Sequence, residues 1–127
     1  MNNKTLPLLS LLAAAGLVGC GSEPTTSAVS FSQQVKPILE QNCSDCHQSG
    51  GKGAEKSGLV LADHAAIMEG TRLGPVVQPG SAISSTLYLA VAGKTHPTIQ
   101  MPHGEQPLNE QQVAVIEQWI DQGAKNN

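Results

Sequence analysis

Apolar residues along this chain fall into short stripes, separated by stretches rich in glycine, proline and serine. Phe31, Val35, Ile38 and Leu39 share one face of a helix read from about Ser30 to Asn42. Ser30-Phe31-Ser32-Gln33 supplies a capping box at its start, and Pro37 falls inside it, where it should kink or restart the helix. The glycine, lysine and serine content of residues 48–58 predicts an exposed loop. Leu59-Val60-Leu61 reads as a short extended run back into the core. Asp63 is placed to cap a brief helix closed by Gly70. Pro79-Gly80-Ser81 introduces a further helix, about Ala82 to Ala92, with Ile83, Leu87 and Val91 spaced for burial and Gly93 as its stop. Residues 93–108 read as irregular. Asn109-Glu110-Gln111-Gln112 then caps a last helix whose Val113, Ile116 and Ile120 form a stripe with Trp119 beside it, ended by Gly123. With no repeat and no second domain, the pattern predicts one small all-α domain over residues 30–127.

The first thirty residues follow a different pattern. Lys4 precedes an apolar run from Leu6 to Val18, too short to span a bilayer as a helix, which reads as a secretory signal over residues 1–19. The run ends in Leu17-Val18-Gly19-Cys20, which resembles a bacterial lipobox, with Cys20 as the lipidated residue. Diacylation there would anchor the protein stably, since two or more chains hold where one does not. No aspartate follows Cys20, which by resemblance to enteric sorting points to the outer membrane, facing the periplasm. The alternative is ordinary cleavage with Cys20 as a spare thiol. Residues 20–29, rich in Ser, Thr and Pro, read as a lipidated tether.

The formal net charge is −3, one unit more negative once Lys4 departs with the leader. The chain lacks a basic patch with interleaved aromatics, which argues against nucleic acid as a partner. An acidic exported protein suits partner proteins with basic docking faces instead.

The remaining two of the three cysteines carry the most specific signal. Cys43-Ser44-Asp45-Cys46-His47 is a C-x-x-C-H run, the attachment signature of c-type haem. Cysteines at this spacing can form thioethers to the two vinyl groups of one porphyrin edge, and His47 then stands where its imidazole binds iron. A zinc site needs a second ligand pair that the cysteines cannot supply, and a thioredoxin-like dithiol belongs in a βαβ pattern not found here. A haem also answers a shortage. Phe31, Tyr88 and Trp119 are the only aromatics, so one flat apolar cofactor would fill a core poor in large side chains.

The second axial position decides the function. Met68, Met101, His64, His96 and His103 are the candidates. Met101 lies in the non-helical Thr98-Ile99-Gln100-Met101-Pro102-His103, where a core-stripe explanation is weak. Met68 sits beside Ile67 on an amphipathic turn, where core filling explains it. His64 and His96 read as surface or loop residues, while His103 competes from the same loop. His/Met ligation fills both positions and points to electron transfer rather than catalysis. An open or bis-histidine sixth site would instead make the domain a haem-based sensor or small-ligand-binding module. An exported dithiol protein without haem is the third reading.

Taken together, these residues resemble the small class I monohaem c-type cytochromes, and most closely the planctomycete-type cytochrome c domain. The resemblance runs from Val35-Lys36-Pro37-Ile38-Leu39 through Cys43, Cys46 and His47. It continues with Gly58-Leu59-Val60-Leu61, Pro79-Gly80, Ser85-Thr86-Leu87-Tyr88, Met101-Pro102 and Pro107-Leu108, and ends with Trp119-Ile120-Asp121-Gln122-Gly123-Ala124. It implies about three to five helices around one covalent haem c, with the terminal helices packed across each other. It also implies a methionine ligand at Met101 and a non-enzymatic, electron-carrying role. A proline carbonyl after the haem motif usually accepts the proximal histidine's proton in such proteins, and Gly74-Pro75 matches that place. Gln48 in place of a common glycine, extra charges in residues 50–58, and His103 in place of a second proline are departures. The first two are expected to alter only the haem-edge surface, and the third keeps histidine ligation open.

Overall fold

The computed structural model describes residues 27–127. The signal segment and Cys20 lie outside the described residues. Six α-helices order the domain: α1 (Lys36–Asn42), α2 (Ser44–His47), α3 (Lys52–Ser57), α4 (His64–Glu69), α5 (Thr86–Val91) and α6 (Glu110–Asp121). Among the described residues there is no strand, only an isolated bridge between Thr71 and Gly74. None of these helices is long and apolar enough to cross a membrane. The all-α expectation holds, with more and shorter helices than foreseen.

The expected first helix is divided. Phe31–Val35 form one π-helical turn, and α1 starts afresh at Lys36 with Pro37 in its first turn, where a missing N–H costs nothing. Ser30 caps the entry by accepting from Gln33 N at 3.3 Å. The side chain that reaches back to Ser30 N is Gln34, at 2.9 Å, and not Gln33.

Asn127 closes the same end from far along the chain. Its Oδ1 accepts from Phe31 N at 2.8 Å and its backbone oxygen accepts from Ser32 N at 2.8 Å. These are N–H groups that a first helical turn leaves without partners. Val29, assigned from sequence to the tether, is buried, and its N–H donates to Gln122 Oε1 at 2.7 Å. The folded domain therefore reaches back beyond residue 30.

α6 is the spine. Asn109 and Gln112 form the predicted reciprocal capping box. Ile116, Trp119 and Ile120 are almost wholly buried, packed with Phe31, Val35 and Leu39 in one core. The rings of Phe31 and Trp119 lie 5.5 Å apart between centroids, so the two terminal segments meet as expected. Trp119 Nε1 finds its acceptor in Lys125 O at 2.9 Å, which lets the indole be buried.

The helix expected over 82–92 is interrupted. Ala82–Ser84 make a 3-10 turn, and α5 begins only at Thr86. Between them Ser85 is fully buried, its hydroxyl donating to Ser81 O at 2.8 Å and accepting from Gln78 N at 2.8 Å. The break turns Ile83 outward, leaving it 68 % exposed, while Leu87 and Val91 are buried as their spacing indicated.

Candidate functional site

Two short helices sharing one residue build the motif. Cys43 ends α1, its N–H donating to Leu39 O at 2.9 Å, and its own carbonyl accepts from His47 N at 2.9 Å to open α2. Its φ of −132° bends the chain between the two. Cys43 is partly buried against the core, while Cys46 is exposed. Burial, and then the neighbouring Cys46, pushes the Cys43 thiol from its ordinary value up to about 11. Among the described residues neither cysteine is in a disulfide.

His47 is buried and held at three places. Its backbone oxygen accepts from Leu61 N at 2.8 Å. Its ring Nδ1 lies 3.1 Å from Leu59 O. A carbonyl only accepts, so Nδ1 carries the proton and Nε2 presents its lone pair, the tautomer that binds a metal. The third hold is α3, whose Gly53 lies against the ring.

Leu59 O thus takes the place that the resemblance gave to Pro75. Pro75 is exposed, beyond the turn made by Thr71 and Gly74. The correction has a simple physical source: the run Leu59-Val60-Leu61 returns directly to His47, so a nearer carbonyl meets the imidazole first. Residues 48–58 also differ from the expected loop. Lys52–Ser57 are helical, ended by Gly58 at φ +84°, a conformation that a side chain would strain. Arg72 closes that end, donating from Nη2 to Glu55 O at 2.8 Å and from Nη1 to Lys56 O at 3.0 Å.

The Met101 segment is built differently. Met101 N donates to Ala90 O at 3.1 Å and Lys94 N to Leu89 O at 2.8 Å, so residues 93–100 form an excursion returning to the end of α5. Met101 is partly buried and packs against the core. His103, its rival from sequence, is exposed. His96 is exposed too, with Nδ1 3.0 Å from Thr98 Oγ1. His64 is engaged elsewhere: Nε2 lies 2.7 Å from Ala124 O, and its ring packs edge-on to Phe31 at 5.2 Å. Met68 is partly buried against the core, as its helical position beside Ile67 indicated.

Thr95, in the same excursion, was not singled out from sequence. Its Oγ1 is the buried side-chain oxygen left without a partner among the described residues. Such an atom is costly unless something polar meets it.

These features fit haem c. Two free thiols stand at the attachment spacing, and a buried imidazole is tautomerically fixed for metal binding. Cys43, Cys46 and His47 would hold the group, which when bound supplies an iron that cycles between ferrous and ferric states.

A family model described as Planctomycete cytochrome C matches residues 43–105. No curated protein and no solved structure gives a significant match. Those residues open on the C-x-x-C-H run and contain both the Leu59 clamp and the Met101 excursion. Through them the chain belongs to the planctomycete cytochrome c family, with haem c as its covalently held cofactor.

Proposed function

We propose that this protein is an electron carrier whose haem iron is held between His47 and Met101. The observation that carries the reading is the fixed tautomer of His47. With Nδ1 committed to Leu59 O, Nε2 is free for one axial site and the ring cannot easily turn away. Met101 is favoured for the other site by its partial burial against the core, where His103 faces solvent. With His47 and Met101 both supplied by the chain, the group they would hold could change oxidation state with little movement and would leave no vacancy for substrate.

The test is the visible spectrum of protein matured with haem, wild type against Met101→Ala. The expected wild type is six-coordinate and low-spin, with a weak red sulfur-to-iron band that the variant loses. An unchanged variant spectrum would put His103 or an open sensing site in its place.

Export and anchoring belong to the same proposal. Leu17-Val18-Gly19-Cys20 supports lipidation at Cys20 and a place on the periplasmic side of a membrane, where covalent haem attachment occurs. Cys20→Ala should move the protein from the membrane to the soluble fraction. The acidic chain suits redox partner proteins that present basic faces.

A further inference from the structure

Gly53 is the second residue of α3 and has no local reason to be glycine. Its backbone is ordinary right-handed helix, where glycine is less favourable than alanine. What requires it is proximity. A Cβ at position 53 would lie 2.9 Å from both Cε1 and Nε2 of His47, and 2.9 Å from Cys46 O, closer than real Cβ atoms come. Gly51, just before the helix, has the same relation to Cys46 O, at 2.5 Å.

Nothing around this contact can easily give way. The imidazole is tied through Nδ1 to Leu59 O, and its backbone is tied to Leu61 N. α3 is pinned as well: Ser57 Oγ donates to Gly53 O at 2.8 Å and accepts from Leu59 N at 3.1 Å. Arg72 grips its last turn through three contacts, its guanidinium to Glu55 O and Lys56 O, and its N–H to Ser57 O at 3.0 Å. Residues expected to shape only the surface therefore form a rigid support for the ligand.

We infer that α3 is a strap across the proximal imidazole, and that Gly53 is the positioning residue through which it sets the approach of His47 to the iron. The inference rests on His47 being the proximal ligand, which the wild-type spectrum reports separately. The strap acts only through His47 and touches no transferred electron.

The test uses the haem-loaded protein with Gly53→Ala and Glu55→Gly. Helix propensity alone predicts that the alanine raises the melting temperature and the glycine lowers it. The strap predicts that Gly53→Ala lowers the melting temperature, shifts the midpoint potential and displaces the His47 ring proton resonances. Glu55→Gly, on an exposed position of α3, should lower the melting temperature yet leave potential and ring resonances in place. Should the alanine variant not load haem, the wild-type ferrous protein decides: nuclear Overhauser contacts between the Gly53 α-protons and His47 Hε1 are expected. Their absence, or an alanine variant with a higher melting temperature and an unmoved potential, overturns the inference.

Discussion

The two sides of the candidate site are made by different physics. On the His47 side, residues 43–61 hold the imidazole through backbone and ring together, and the next helix presses on it. On the Met101 side, residues 93–100 are an excursion closed at its base by two backbone hydrogen bonds, with Thr95 Oγ1 inside it unpartnered among the described residues. The first region is held by hydrogen bonds within the chain itself. The second has polar capacity left over, which a bound group can use. The contrast separates a side fixed at many points from one fixed at few, and it orders what substitutions should do.

The largest effect is expected from His47→Ala. Loss of the ring removes the proposed iron ligand and orphans Leu59 O at a cost of about 1–3 kcal/mol, so low-spin haem and much of the stability should go together. Met101→Ala should cost the sulfur band while leaving the covalent haem in place. If the two variants proved equally unstable by thermal unfolding, the contrast between the sides would be wrong.

The cysteines sharpen the same point in haem-free protein. A thiol raised to about 11 is protonated near pH 8, so Cys43 should alkylate on the order of a hundredfold more slowly than an ordinary cysteine. Because the folded chain favours the protonated form, this contribution to stability is complete below the ordinary value. It fades as pH rises through about 11. Mass spectrometry after timed alkylation measures the rate; an ordinary rate at Cys43 would mean that α1 and α2 do not pack without haem.

Ser57→Ala comes next. It removes the link between Gly53 O and Leu59 N, and a loss of about 1–2 kcal/mol is expected in denaturant titrations, with the visible spectrum of the haem-loaded protein unchanged. The smallest effect is assigned to His103→Ala. Removing an exposed side chain two residues from Met101 should leave the spectrum unchanged, and any loss of low-spin character would return His103 to the site.

Legibility in the sequence followed the range of the interactions. Asn109 and Gln112 were readable because a capping box is local, and the Ile116–Ile120 stripe because burial on a helix is periodic. Cys43, Cys46 and His47 were readable because the chemistry itself sets their spacing. Leu59 was hidden because every residue carries a carbonyl, so an acceptor to His47 Nδ1 leaves no mark in side-chain type. α3 was hidden because Gly51 and Gly53, there for close approach, look like loop residues. Ile83 misled because the buried Ser85 hydroxyl breaks the helix whose period placed it inside. Asn127 was out of reach for any local pattern, since its partners lie at Val29 to Ser32.

The meeting of Asn127, Gln122 and Val29 also has a mechanical side. Anything that pulls on the chain ahead of residue 27 delivers its load first to Ser27 and Val29, both fastened to Gln122 at the end of α6, with Val29 also fastened to Asn127 beyond it. Tension is thereby passed into the helix carrying Trp119 before it reaches α1 and the cysteines that follow. A domain held by its N-terminal side would thus be gripped through the helix that carries the buried Ile116, Trp119 and Ile120, and the C-x-x-C-H segment would be spared the strain.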